Sequence, residues 1–384
     1  MPKIRILTGL DQLERYDHLL RGRRIGLMTN QTGIDLRFRS VIDLLQTRYD
    51  LRALFACEHG IRGAVPEGAP VDTFQDPLTG LTVYSTFANG GRLSPEMTEQ
   101  FDLLIFDMQD VGARFYTYLY SLSYAMEECA RRGKSVLVLD RPNPIGGLCT
   151  EGTVLDEARV RSFVGEYALP TRYGLTIGEY ALWVRRHLNL DLDLTVAPLK
   201  GWYREYLLPD LELPFVAPSP NMPSFDSMLC YIGTCLFEGT NVSEGRGTAL
   251  PFQYVGAPWL NHQAVCAQLN RRNLPGVYFR PCVFIPGFSK YAGQACQGIQ
   301  LHVTDPAAAS FFAGGLYMVE AVARLHGDHF AYLPDAQGQP AHFQHLLGTT
   351  AFTDGLADAE GLLEASRAQL RTFDEERRAY FLYR

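Results

Sequence analysis

Four runs of apolar residues within the first 150 positions each end on polar side chains that could do chemistry. An unbroken apolar run of this length is typical of a parallel β-strand that is buried on both faces. In an open α/β sheet, ligands bind beyond the carboxyl ends of the strands. We therefore expect the polar groups to meet at one edge of a sheet and to form the functional site there. The four groups are Thr29-Asn30-Gln31, Glu58-His59-Gly60, Asp107-Met108-Gln109-Asp110 and Asp140-Arg141-Pro142-Asn143.

The second group continues to Gly63 and offers the best candidate for a catalytic residue. Glu58 stands at a predicted strand end, where a carboxylate can act as a general acid or a nucleophile, and the glycines after it let a ligand approach closely. His59 follows it, but no second histidine or carboxylate at helical spacing indicates a metal site. The alternative is that Glu58 caps a loop or pairs with Arg62. The spacing alone leaves both roles open.

The third group runs into the segment Val-Gly-Ala-Arg-Phe-Tyr-Thr-Tyr at residues 111–118. Gln109, Asp110, Arg114 and Tyr116 together offer amide, carboxylate, guanidinium and phenol groups beside aromatic rings. Sugar sites are commonly built this way, because a pyranose presents hydroxyls at its edge and C–H groups on its face. The alternative is an ion pair between Asp110 and Arg114 that anchors the start of a helix, which the apolar spacing predicts over residues 111–132.

Two later loops are also rich in polar side chains. The second of them combines two glutamates, an asparagine and an arginine with three glycines, a composition expected where a loop approaches a ligand. The alternative is a polar surface turn. Neither this loop nor the end of the first strand carries a phosphate-binding signature, so we predict no nucleotide cofactor. The candidates are Asn221 in the first loop and Glu238, Asn241, Glu244 and Arg246 in the second.

The order of predicted elements indicates two domains. Strands and helices alternate as far as Pro258, and Thr176 with Glu179 forms a capping box for a helix that runs to His187. This order predicts an α/β fold with a Rossmann-like, doubly wound and mainly parallel sheet over residues 1–258. Residues 259–384 change to a helix, two strands and a helix, which predicts a smaller C-terminal α+β domain.

The bulk composition argues against several classes of protein. The chain has 384 residues, a formal net charge of −7 and no basic block, so we expect no nucleic-acid partner. The N-terminus lacks an apolar h-region, and no run approaches the roughly 20 apolar residues of a membrane-spanning helix. We therefore predict neither a signal peptide nor membrane insertion and expect a cytoplasmic location. Eight scattered cysteines form no CxxC pair, which favours free thiols and no metal site.

Six of these segments, taken in order, resemble the NamZ-type exo-β-N-acetylmuramidases of glycoside hydrolase family 171, long catalogued as a domain of unknown function. The similarity runs nearly end to end, through Phe373 and Tyr380 to Tyr383 near the C-terminus. One such segment would be a weak signal, but six in the same order are specific. The segments are residues 28–33, 58–60, 109–118, 140–144, 219–221 and 238–248.

The resemblance implies a Rossmann-like N-terminal domain, a smaller C-terminal domain and an active site in the cleft at the carboxyl edge of the sheet. It implies an exo-acting bacterial glycoside hydrolase that removes terminal β-N-acetylmuramic acid from the non-reducing end of peptidoglycan fragments in cell wall recycling. It also places the family's proposed catalytic glutamate on Glu58. Two residues depart from the family pattern: Cys57 stands where many relatives carry proline, and Tyr173 stands where histidine is frequent and could alter the substrate range. Secreted relatives carry export signals that we do not find at this N-terminus, and the alternative function is a non-catalytic protein that binds or senses muropeptides.

The chemistry sets two further requirements. Glycoside hydrolysis commonly uses two carboxyl groups, or one acid together with the acetamido oxygen of the substrate, and the sequence leaves retention, inversion and substrate assistance open. The lactyl carboxylate of muramic acid needs a positive partner, and arginine suits it through bidentate contact. Arg246 is the first choice because glycines flank it, and Arg62, Arg114 and Arg141 are the others. With Glu58 as the catalytic residue, the substrate-binding candidates are Asn30, His59, Arg62, Gln109, Asp110, Arg114, Tyr116, Arg141, Asn143, Asn221, Glu238, Asn241, Glu244 and Arg246.

Overall fold

A computed structural model describes residues 3–63, 72–86 and 90–384 of the chain. Met1 and Pro2, which belong to the N-terminus considered above for a signal peptide, lie outside the described residues. The strands are β1 Arg24–Thr29, β2 Asp50–Ala56, β3 Phe74–Gln75, β4 Thr82–Ser85, β5 Leu103–Asp107, β6 Ser135–Leu139, β7 Glu151–Val154, β8 Pro170–Arg172, β9 Leu194–Ala197, β10 Tyr254–Ala257, β11 Val277–Phe284 and β12 Cys296–Val303.

The described strands form a seven-stranded sheet in the order β3-β4-β2-β1-β5-β6-β9, together with two smaller sheets. Every neighbouring pair in the large sheet is parallel except β3 with β4. All five residues of β5 and all five of β6 are buried, as expected for strands covered on both faces. The predicted doubly wound, mainly parallel sheet is confirmed.

Helices pack against this sheet. The helix predicted from the capping box is confirmed, because the Thr176 hydroxyl accepts from the Glu179 N–H at 3.2 Å and the Glu179 carboxylate accepts from the Thr176 N–H at 3.0 Å. The α-helices are α1 Asp17–Leu20, α2 Val41–Arg48, α3 Pro95–Thr98, α4 Tyr118–Arg131, α5 Ile177–His187, α6 Phe225–Thr234, α7 His262–Asn270, α8 Phe311–Leu325, α9 Ala341–Leu347 and α10 Ala359–Arg377. Among those that pack against the sheet are α2 on β2, α4 on β6 and α5 on β6 and β9.

The helix predicted over residues 111–132 is shorter than expected and begins at Tyr118. Gly112 has φ +83°, a conformation that interrupts a helix, and the Arg114 N–H donates to the Thr171 carbonyl at 2.8 Å. Residues 111–117 are therefore a loop. This loop places the N-terminus of α4 beside the carboxyl end of the sheet.

The smaller C-terminal domain also has the predicted elements. The antiparallel strands β11 and β12 stand between α7 and α8, and α7 packs on β11. The strand β10, which precedes residue 258, pairs with β12. The predicted boundary at residue 258 stays a prediction. In the described ranges, no helix is long and apolar enough to cross a membrane.

Candidate active site

A pocket of about 240 Å³ lies where the carboxyl end of β2 and the N-terminus of α4 meet the segments after α5. Six of the fifteen predicted site residues line it: Glu58, His59, Tyr116, Asn221, Glu238 and Arg246. The other lining residues were not predicted as site residues, and they are Phe115, Thr117, Phe163, Val164, Ser219, Met222, Tyr231, Phe252 and His342.

Glu58 enters the pocket from a sharp turn that follows β2. His59 and Gly60 both have positive φ values, +70° and +72°, and the Gly60 N–H donates to the Cys57 carbonyl at 3.0 Å. A non-glycine residue with positive φ is uncommon and is often found at a functional site. From this turn Glu58 lines the pocket as a half-buried side chain, and His59 beside it is buried.

Thr117 fixes one oxygen of Glu58. Its hydroxyl donates to Glu58 Oε2 at 2.7 Å. Thr117 also occupies the N-cap position of α4, but its side chain makes no capping hydrogen bond. The N-terminal end of a helix carries partial positive charge, which attracts anions. The start of α4 therefore contributes both a hydroxyl and a favourable electrostatic potential to the pocket.

Glu238 faces the same pocket from the 3-10 helix Cys235–Gly239. Its carboxylate lies 2.7 Å from Arg246 Nη2 and 3.7 Å from His342 Nε2. Burial raises the pKa of Glu238, but the charges of Arg246 and His342 and their hydrogen bonds outweigh it and lower the pKa to about 2. Glu238 is therefore an ionised carboxylate at neutral pH.

Arg246 is shared between two glutamates. Besides Glu238, its guanidinium contacts Glu244, with Nη1 3.0 Å from Oε1, and Lys290 Nζ lies 3.0 Å from the other oxygen of Glu244. Glu244 is buried and does not line the pocket. Arg246 thus lines the pocket while its guanidinium pairs with the carboxylates of Glu238 and Glu244. Its role as the partner of a lactyl carboxylate stays a prediction.

The crevice between β1 and β5, where a doubly wound sheet usually binds its ligand, is filled by the protein itself. Asn30 Oδ1 accepts from the Thr32 hydroxyl at 2.6 Å, and the Gln109 N–H donates to the same hydroxyl oxygen at 2.9 Å. Arg141 makes a bidentate ion pair with Asp107 at 2.6 and 2.9 Å. The cavity beside Gln109 and Arg141 has about 30 Å³, little more than a water molecule needs. Asn30, Gln109 and Arg141 thus bond to neighbouring protein groups, and none of them lines the pocket that contains Glu58.

Asp110 and Arg114 do not form the ion pair considered as an alternative. Arg114 is fully buried and donates to the carbonyls of Leu169 at 3.0 Å and Leu346 at 2.8 Å. Asp110 accepts from the Gly112 N–H at 2.7 Å and from the Tyr173 hydroxyl. Burial raises the pKa of Asp110 to about 6 and lowers the pKa of Arg114 to about 10. Tyr173 is itself fully buried and does not line the pocket.

Three further candidates also bond to protein groups outside the pocket. Arg62 pairs with Asp76 at 3.1 Å. The Asn143 amide donates to the Leu175 carbonyl at 2.9 Å. The Asn241 amide donates to the His329 carbonyl at 2.7 Å and accepts from the Ala331 N–H at 3.0 Å. These contacts fix loops around the site.

Aromatic rings line part of the pocket wall. The ring of Tyr231 lies edge-to-face with Phe115 at 4.8 Å, with Phe252 at 4.6 Å and with Tyr116 at 6.3 Å between centroids. Such rings offer apolar surface to the C–H face of a sugar. The carboxylates, the Thr117 hydroxyl and the Asn221 amide offer polar partners to its hydroxyls.

In the described part of the chain, no group of three or more His, Cys, Asp or Glu side chains gathers to hold a metal ion. The expectation that the protein needs no metal and no nucleotide stays a prediction.

Comparison with known proteins covers almost the whole chain. Residues 25–226 match the family described as exo-β-N-acetylmuramidase NamZ, N-terminal, and residues 229–383 match its C-terminal counterpart. The peptidoglycan β-N-acetylmuramidase NamZ of Bacillus subtilis (strain 168) is 40% identical over 99% of this chain and 92% of its own length. Crystal structures of two DUF1343 family proteins of Bacteroides fragilis NCTC 9343 are also similar. One has a TM-score of 0.90 at 34% identity and full coverage of both chains, and the other has 0.77 at 30% identity and 99% coverage of both.

Proposed function

Because the chain belongs to the NamZ exo-β-N-acetylmuramidase family, we propose that it is an exo-acting glycoside hydrolase. It releases terminal β-N-acetylmuramic acid from the non-reducing end of peptidoglycan fragments. The observation that carries this proposal is the pocket in which Glu58 lies with a second carboxylate, Glu238, and with a wall of aromatic rings. Glycoside hydrolysis commonly uses two carboxyl groups, and the rings offer apolar surface to the C–H face of a sugar.

Glu58 is the proposed general acid. It donates a proton to the glycosidic oxygen, and the bond between this oxygen and the anomeric carbon breaks. The Thr117 hydroxyl, 2.7 Å from Oε2, fixes the position of the Glu58 carboxyl group in the pocket. We propose that no metal and no nucleotide takes part.

Arg246 is the proposed contact for the lactyl carboxylate. Of the four arginines considered, Arg62, Arg114 and Arg141 are bonded elsewhere and do not line the pocket, whereas Arg246 does. Arg246 lines the pocket while it also pairs with Glu238 and Glu244. N-acetylglucosamine lacks the lactyl group, so this contact favours the muramic sugar.

Release of N-acetylmuramic acid tests the function directly. Incubation with a chromogenic β-N-acetylmuraminide should liberate the chromophore, and incubation with a muramyl disaccharide should liberate the free sugar. A muropeptide-binding protein on the same scaffold would bind these compounds in calorimetry and leave them intact. The same reactions run after exhaustive chelation test the independence from metal, because loss of activity that one divalent ion restores would contradict it. The cytoplasmic location stays a prediction, to be tested by cell fractionation.

A further inference from the structure

Two glutamates line one pocket and reach it from distant parts of the chain. Glu58 follows β2 at the edge of the parallel sheet, and Glu238 comes from the 3-10 helix after α6. The Thr117 hydroxyl donates to Glu58, whereas the Arg246 guanidinium and the His342 imidazole lie next to Glu238. Carboxylates with such different surroundings are suited to different tasks.

The backbone that carries Glu238 is held from outside the pocket. Lys290 Nζ donates to the carbonyls of Phe237 at 2.7 Å and of Glu238 at 3.3 Å. Gly239 lies so close to α9 that a Cβ there would be 2.5 Å from the Cα of Phe343. This close packing also brings His342, the residue before Phe343, to the Glu238 carboxylate. Glu238 therefore has a fixed position, which electrostatic catalysis requires because its groups must not reorganise during the reaction.

The charge of Glu238 is fixed as well. Burial opposes ionisation, but Arg246 and His342 lower the pKa of Glu238 to about 2. A carboxylate of such low basicity is a poor proton acceptor and a poor nucleophile, but it keeps its full negative charge. The pocket thus offers one fixed anion in addition to Glu58.

We propose, building on the hydrolase function above, that Glu238 is a second catalytic carboxylate that stays ionised through turnover. It stabilises the positive charge that develops on the sugar, while Glu58 transfers the proton. Arg246 is a positioning residue in this step, since it holds Glu238 at 2.7 Å.

The reaction balances with the acetamido group of the substrate as the nucleophile. Glu58 gives its proton to the glycosidic oxygen, the bond to the anomeric carbon breaks, and its electron pair goes to the leaving alcohol. A lone pair of the acetamido oxygen forms a bond to the anomeric carbon and gives an oxazolinium cation, whose N–H donates to the Glu238 carboxylate. Water then attacks the anomeric carbon and loses a proton to Glu58. The bond between the anomeric carbon and the acetamido oxygen breaks, and its electron pair returns to the acetamido oxygen. The product keeps the β configuration.

The test compares Glu238→Gln with Glu244→Gln. Both substitutions remove a carboxylate that contacts Arg246, but Glu244 is buried outside the pocket. We expect E238Q to lower kcat/KM by about 10²–10³-fold, as for loss of one preorganised electrostatic partner, and E244Q to lower it less than about tenfold. The loss in E238Q should be the same on an aryl muraminide and on a muramyl disaccharide, because the missing charge acts on the sugar and not on the leaving group.

A second measurement keeps the proposal testable if a variant folds poorly. The wild-type product, followed by NMR during the first turnovers, should be the β anomer, and the pH dependence of kcat/KM in folded E238Q should keep the shape of the wild type. Equal losses in E238Q and E244Q, an α-anomeric product, or a sugar bound covalently to Glu238 would each overturn the proposal while leaving the hydrolase function in place. A wild-type protein that cleaves neither substrate would overturn both.

Discussion

Replacing Thr117 with valine should slow turnover without weakening the fold. Valine has nearly the shape of threonine but lacks the hydroxyl that donates to Glu58 Oε2 at 2.7 Å. Thr117 makes no side-chain capping bond to α4, so the helix loses no cap when the hydroxyl is removed. The effect should therefore appear in catalysis and not in the free energy of unfolding.

The size of the effect follows from the type of bond that is lost. A hydrogen bond to a charged group contributes about 1.5–3 kcal/mol, which corresponds to about 10–150-fold in rate if the whole bond acts in the transition state. Thr117 is 8% exposed, so little water is available to replace the hydroxyl. We expect kcat of T117V to fall by a factor within this range, with KM changing less.

Thr117→Ser is the matched control because it keeps the hydroxyl. Its kcat on a muramyl disaccharide should stay within about threefold of the wild type, and chemical unfolding should show both variants close to the wild-type stability. A T117V protein with wild-type kcat would refute the argument that this bond positions Glu58. A loss in T117S as large as that in T117V would show that keeping the hydroxyl is not enough to preserve turnover.

Three other substitutions test the remaining assignments. Arg246→Ala should lower kcat/KM more on a β-N-acetylmuraminide than on the matching glucosaminide, by a further factor of about 10–150, and equal losses on both would mean that Arg246 acts only through Glu238. Asp110 has a pKa raised to about 6 by burial, so the folded state holds a proton that the unfolded chain releases near pH 4. Asp110 should therefore account for a loss of up to about 3 kcal/mol of unfolding free energy as the pH rises from about 4 to about 7, and Asp110→Asn should lose less than the wild type by this amount, since Asp140, whose pKa burial raises to about 7, still titrates in the variant. Parallel pH profiles of the two proteins would contradict this. Arg114→Met leaves buried carbonyls without donors, at about 1–3 kcal/mol each, and should lower the free energy of unfolding by several kcal/mol. A stable variant in which only KM is raised would instead indicate that Arg114 binds substrate.

The sheet was predictable from the sequence because its strands are continuous apolar runs. The polar ends of those strands do meet at one edge, as expected, and Glu58 is among the groups that line the pocket. The sequence does not say which polar groups are already bonded to one another. Asn30, Gln109 and Arg141 lie at the expected edge, but Thr32 and Asp107 engage them, and they close the crevice that they were expected to line.

The contacts that were missed depend on the path of the chain between elements. Arg114 lies in a segment whose apolar spacing predicts a helix. The positive φ of Gly112 turns this segment into a loop, which buries the Arg114 guanidinium among carbonyls. Glu238 and Arg246 are eight positions apart in the sequence, and no regular periodicity brings the two side chains together. His342 comes from α9, about 100 residues further on, where no motif marks it. Thr117 was within the segment that carries the family resemblance, and its place in that segment was the signal that could have identified it.

The identity of the acid is tested most directly by Glu58→Gln on two substrates that differ only in the leaving group. Glutamine keeps the shape of the side chain but has no proton to give, so kcat/KM on a muramyl disaccharide should fall by about 10²–10⁴-fold. The loss should be much smaller on an aryl muraminide whose leaving group needs no protonation. Near-normal turnover of the disaccharide by a folded Glu58→Gln protein would contradict the assignment of Glu58 as the catalytic acid.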